Sequence, residues 1–329
     1  MKRLVNVVFC ILLAACAAEV TPKSKSPALP VFSPTAEPST AVVTNLQLPI
    51  TVPSRTPKPA TKPTTKPTTI ILPTLQPTST PLPNETPFDV DAWKETPVIP
   101  IVDPSIRAIY QYGQTLGNDP HAFSIFGDCQ AKPGEFFGVF ETDPEFVEGL
   151  SPELQETIAN FHGSFNRESP TAQDGTTPGS LFWNQWHRGE YGCSFAETPV
   201  ECELRIHRPS FVIIQIGTHF ESRNREYLRT VILQLMDAGI VPILATKADN
   251  REKDERINRD MWDLASEYDL PLWNFWAAVS DLPNRGLYTR DDRPLQGDIY
   301  LTDEALLRHR MTGLEALNTV WRVAADSPR

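Results

Sequence analysis

Long apolar runs, an excess of positive charge and a generous supply of cysteine are all missing from this chain of 329 residues. The run from Leu4 to Leu13 is far shorter than the roughly 20 residues a membrane-crossing helix needs, and no later stretch is long and apolar enough. No transmembrane helix is expected. The formal charge is −11, and loss of Lys2 and Arg3 would make the chain more acidic still. A surface of that sign repels phosphate backbones, so nucleic acid is not an expected partner. The five cysteines are too few for a disulfide-built miniprotein, and each needs its own account.

What is present begins with Met1-Lys2-Arg3, the apolar run, and then Leu13-Ala14-Ala15-Cys16. A positive start, a short apolar stretch and small residues before a cut site make a signal peptide, assigned to residues 1–15. The Leu-Ala-Ala-Cys ending resembles the lipobox of bacterial lipoproteins, which implies that Cys16 becomes the acylated first residue. A membrane contact through that lipid, with the rest of the chain outside the cytoplasmic membrane, is the expected location. Residues 16–97 then turn to Pro, Thr, Ser and Lys, as in Thr61-Lys62-Pro63-Thr64-Thr65-Lys66-Pro67. Such a stretch buries too little apolar surface to offset the entropy of ordering it. Proline favours extended polyproline II at roughly 3.1 Å per residue, so a tether reaching on the order of 200 Å is expected.

Residues 98–329 are enough for one α/β domain. Four apolar runs, Ala122 to Phe126, Phe211 to Ile216, Ile240 to Ala245 and Pro271 to Phe275, read as buried parallel strands. Between them Leu228, Val231, Ile232 and Leu235 keep helical spacing before Gly239, and Ile257, Met261, Leu264 and Ala265 form a second stripe. Leu307, Met311, Leu314 and Trp321 form a third, after the candidate cap Thr302. The helix expected from Asn250 to Tyr268, dense in Arg, Lys, Asp and Glu, reads as a solvated face. Alternation of this kind predicts a three-layer α/β/α, flavodoxin-like, doubly wound parallel sheet, whose ligand site lies at the carboxyl ends of the strands. Cys193 and Cys202, nine residues apart in a loop-like segment, suit a disulfide. Cys129 is then the odd thiol.

At those strand ends stand Gly127-Asp128-Cys129 and Gly217-Thr218-His219, which resemble the Gly-Asp-Ser and Gly-x-Asn-Asp blocks of SGNH (GDSL-like) hydrolases. The resemblance covers most of residues 105–323. It implies an esterase or acyl hydrolase with no metal and no organic cofactor. It places Cys129 at the nucleophile, beside Asp128. The oxyanion hole would draw on Gly175 or Gly179 and on His219 at the asparagine position, with Asn166 as a further polar lining group. The late segment Gly297-Asp298-Ile299-Tyr300-Leu301-Thr302 looks like the family's Asp-Gly-x-His-Leu-Thr block, with Tyr300 in place of histidine and Asp298 one position out of register. No Asp-x-x-His pair occurs there, and His309 falls on a different helical face from Asp303. His219 is the remaining candidate base. A thiol works as a nucleophile only when deprotonated or paired with a base, and free cysteine is equally at home as a small buried hydrophobe.

Two functions follow. One is an extracytoplasmic hydrolase of carbohydrate or lipid esters acting through Cys129. The other keeps the fold without the chemistry and binds a glycan or peptide at the strand ends, near Trp183, Trp186, His187 and His219. A histidine within hydrogen-bond reach of Cys129 separates the two. The anchor is tested by Cys16→Ala in a bacterial host: the variant is expected to take up no labelled palmitate and to leave the membrane fraction, whereas unchanged membrane retention would refute lipidation.

Overall fold

A computed structural model of the chain describes residues 89–326. The signal segment, Cys16 and the tether up to residue 88 lie outside the described residues. Packing starts earlier than residue 98: the indole of Trp93 is fully buried, edge-on to Trp276 with ring centroids 5.0 Å apart. Asn274 Nδ2 donates to the carbonyls of Trp93 and Thr96, each at 2.9 Å.

Helix α1 (Ile106–Leu116) leads into strand β1 (Asp119–Gly127). Three helices follow, α2 (Val139–Thr142), α3 (Pro144–Glu148) and α4 (Pro152–Asn160). Next come α5 (Pro199–His207), β2 (Pro209–Gln215), α6 (Asn224–Asp237), β3 (Val241–Ala245), α7 (Arg256–Glu267) and β4 (Leu272–Trp273). Helices α8 (Phe275–Val279) and α9 (Asp303–Ala324) complete the order. All four expected strands form, in spatial order β1-β2-β3-β4 and all parallel, with Ile125 beside Ile213 and Ile213 beside Ile243. Their apolar runs are continuous because both faces are covered. Phe123, Ile125, Phe211, Ile213 and Ile243 face Phe136, Phe161, Phe165 and the α9 residues Leu314 and Leu317. Phe126, Val212, Ile214 and Leu244 face Leu228, Val231 and Leu235 of α6 and Met261 and Leu264 of α7. Helix α9 starts as expected, Thr302 Oγ1 accepting from the Ala305 N–H.

The winding reverses at β1. Residues 171 and 172 run along the edge of β1 away from β2: the Gly127 N–H donates to Thr171 O at 2.9 Å, and Ala172 pairs in parallel with Gly127. The chain therefore passes outside β1 before returning to lay down β2 on its other side. That makes the carboxyl end of β1 the topological switch point, where open α/β sheets carry their ligands. The edge segment is clamped by Glu203 of α5, a fully buried carboxylate that accepts from Ser124 Oγ, from Ser169 Oγ at 3.0 Å and from the Arg167 guanidinium.

The Cys193–Cys202 disulfide is present and joins the loop before α5 to the helix itself. The charged run 250–268 departs from the sequence reading. Residues 250–255 lie outside the helix, which begins at Arg256, and Glu252 is buried with Lys247 and Asp249 instead of facing solvent.

His207, at the end of α5, sets its Nε2 3.1 Å from Phe123 O and 3.1 Å from Ser164 Oγ. Burial, and then the charge of Arg167, hold its imidazole down to about 4 from the ordinary 6.5. The fold favours the neutral ring, while the unfolded chain takes up its proton near 6.5. This contribution is complete above pH 6.5 and is lost as pH falls from 6.5 towards 4. Melting temperature is therefore expected to drop across that interval, with a shallower slope in His207→Gln; identical slopes in both proteins would assign the acid sensitivity elsewhere.

Candidate active site

The ends of β1, β2 and β3 are tied by one carboxylate. Asp128, the first residue past β1, is 2 % exposed. Its Oδ2 accepts the backbone N–H groups of Thr218 at 2.9 Å and of Gly217 and His219 at 3.3 Å each. The turn presents three N–H groups at once because Gly217 sits at φ +146°, and a Cβ there would come within 2.4 Å of Ile257 Cγ2. Thr218 Oγ1 donates onward to Asp249 Oδ2 at 2.8 Å. Lys247 Nζ, itself buried, donates to Asp249 Oδ1 at 2.8 Å and to Glu252 Oε2 at 2.7 Å. Burial, and secondarily the charge of Asp249, raise the Asp128 carboxyl above its usual range against the pull of the N–H groups.

Cys129 occupies the switch point, but its thiol is 3 % exposed. The Sγ–H points to Asp128 Oδ1 at 3.9 Å, and among the described residues no histidine lies within hydrogen-bond reach of Sγ. Burial, and then the charges of Asp128, Asp174 and Asp249, push this thiol far above the ordinary thiol range. Nucleophilic cysteines need the opposite surroundings, cationic and partly open. The His219 ring faces Asp128 instead, with Nδ1 4.0 Å from Oδ2 and no hydrogen-bond partner of its own. His309 is fully buried, its Nε2 2.7 Å from Gln215 Oε1 and its ring stacked 4.1 Å from Phe136. Burial keeps it neutral as a core residue.

The other expected site residues divide. Gln130 Nε2 donates to Ile299 O, which brings the late loop to the end of β1. Tyr300 is thereby close to Cys129 and Asp174: burial, then their charges, raise its phenol. Gly175, at φ +81°, sits in the turn beside Trp186. Gly179 is not a free oxyanion donor, because its N–H is spent on Glu221 Oε1 at 2.5 Å. Asn166 is exposed near Gly138, with its N–H on Glu141 Oε2 at 3.2 Å, and does not line the strand ends. Asp298 is turned away on a left-handed residue and pairs with Arg290 at 3.0 Å. His187 is buried in its own loop, with Nε2 2.8 Å from Glu197 O.

The sequence reading missed the cleft that does open here. About 300 Å³ in volume, it is lined by Lys132, Glu168, Asp174, Trp186, Arg188 and Tyr191, with Ala172 of the β1 edge at its base. Lys132 Nζ and Asp174 Oδ2 pair across it at 2.9 Å, and Trp186 Nε1 donates to Thr176 Oγ1 at 3.3 Å. Trp183, half exposed, stands 6.2 Å from Trp186. Among the described residues no cluster of His, Cys, Asp and Glu is arranged to hold a metal ion.

No family model and no curated protein matches this chain. Solved structures do. The domain is similar in fold to GDSL-like lipases. One, from Bacteroides thetaiotaomicron, is 13% identical over 66% of this chain and 98% of its own, with a TM-score of 0.38. The solved structure of TesA is also similar, 13% identical over 60% of this chain and 99% of its own, with a TM-score of 0.36. No residue role passes from either to this chain.

The shielding of Cys129 has a direct test. A thiol-reactive dye is expected to label the native protein at least about a hundredfold more slowly than the same protein in denaturant, and rapid native labelling would show an accessible thiolate.

Proposed function

We propose that this domain binds a carbohydrate in the cleft beside Cys129 without cleaving it, displayed outside the cytoplasmic membrane by a lipid on Cys16 and by the Pro/Thr-rich tether that follows it. The surroundings of Cys129 carry this reading: a buried thiol that donates to a carboxylate, with no histidine in reach, is held protonated. The cleft next to it suits a sugar ring. Trp186 and Tyr191 offer faces for C–H packing, while Lys132, Glu168, Asp174 and Arg188 offer donors and acceptors for hydroxyl groups.

A second reading, ester hydrolysis by Cys129, draws on two observations. The thiol stands at the switch point, and the unpartnered His219 Nδ1 lies near the carboxylate next to it. For that chemistry His219 would have to swing to Sγ, take its proton and give it to the alcohol that leaves as the thiolate captures the acyl group. It would then deprotonate a water that cleaves the thioester to a carboxylic acid, and return that proton to sulfur.

Glycan-array screening followed by calorimetry of the mature chain, with p-nitrophenyl esters and acetylated sugars assayed in parallel, separates the two readings. Binding that survives Cys129→Ala, weakens about tenfold or more in Trp186→Ala and comes with no turnover supports the proposal. Turnover that vanishes in Cys129→Ala would replace it with a thiol hydrolase, and loss in His219→Ala would name the base.

A further inference from the structure

On the other side of the Ile299 turn lies a second cleft, about 420 Å³ in volume, lined chiefly by Arg251, Lys253, Asn284, Arg285, Arg290 and Asp298. In a chain of net charge −11, four cations here meet one lining carboxylate. Asp298 is taken by Arg290 at 3.0 Å. Glu255, just outside the cleft, pairs with Arg285 at 3.3 Å but gives its other oxygen to Lys94 at 2.8 Å. Arg251 and Lys253 make no ion pair among the described residues.

An exposed group of basic side chains is most often a solvated patch. Two features set this one apart. Three of the four cations are held in place: Arg251 donates to Thr218 O at 2.9 Å, Arg285 is fixed by Glu255 and Arg290 by Asp298, while the neutral Asn284 Nδ2 donates to Leu287 O at 3.2 Å. Arg285 Nε is nonetheless buried with no acceptor. The backbone around the cleft is also strained. Of the ten non-glycine residues with positive φ among the described residues, Lys253, Asn284, Arg285 and Asp298 line it, and Glu255 adjoins it. Left-handed backbone at ordinary residues is held against its preference by the surrounding fold, and it gathers at ligand sites.

We propose that this cleft binds a dianionic phosphoryl group, as a phosphate monoester or the free anion. Two to three unopposed positive charges match a dianion better than the single charge of a carboxylate, and guanidinium forks meet phosphate oxygens in pairs. The site is separate from the carbohydrate cleft and stands whether or not that cleft is occupied. Through Arg251 and Thr218 it contacts the turn that Asp128 organises.

The test is calorimetric titration of the mature full-length chain with inorganic phosphate, glucose 6-phosphate and glucose, repeated on the double variant Lys253→Glu, Arg290→Glu. Both side chains are exposed, so the variant should keep its melting temperature. Binding of both phosphate compounds but not glucose, weakened about tenfold or more in the variant, is the expected result. Tighter binding of glucose 6-phosphate would mark the ligand as a phosphate ester, and equal or tighter binding of inorganic phosphate would mark it as the free anion. Absence of phosphate binding, or equal binding by the variant, would overturn the proposal.

Discussion

Everything at the carboxyl edge of this sheet hangs on the Asp128 carboxylate and the three N–H groups it gathers. Hydrogen bonds to a charged acceptor each contribute about 1.5–3 kcal/mol, and removing one partner from a buried set costs more because the rest are left unpaired. That single group orients the turn after β2. Through Thr218 and Asp249 it also reaches the buried Lys247 at the end of β3. Three strand ends are thus locked by side-chain chemistry where backbone pairing has stopped.

The same arrangement determines what Cys129 is able to do. A carboxylate one residue away, with two more nearby, stabilises the protonated thiol, and burial adds to the effect. The chain gathers carboxylates around this thiol, and the imidazole that is present turns to Asp128. The late loop contributes the phenol of Tyr300, whose pKa is raised by burial and then by the charges of Cys129 and Asp174. Structural order at the switch point and a thiol held protonated have one cause.

The strands and main helices were legible in the sequence because buried parallel strands are continuous apolar runs and amphipathic helices repeat at 3.6 residues. The disulfide was legible from its spacing and its loop-like setting. Partner choice was not. The Asn250–Tyr268 run looks solvated by composition, and only the approach of β2's turn shows that Lys247, Asp249 and Glu252 form a buried cluster. Gly179 looks like a loop donor until Glu221, 42 residues later, takes its N–H. Asn166 and Asp298 were close to the right blocks in sequence but are directed elsewhere by Glu141 and Arg290. Such contacts are decided between distant segments, where periodicity is silent. Lys247 alone was within reach of the rule that residues just past a strand line the site.

The burial of Trp93 has a mechanical side. Tension arriving along the chain from its N-terminal direction would enter the domain at this indole, wedged under Trp276, and at the two carbonyls held by Asn274. Asn274 itself caps α8 and bonds to Thr246 at the end of β3, so the load passes directly into the sheet. Hydrogen bonds and ring contacts arranged in parallel share a load, and they must fail together before the first helix begins to peel.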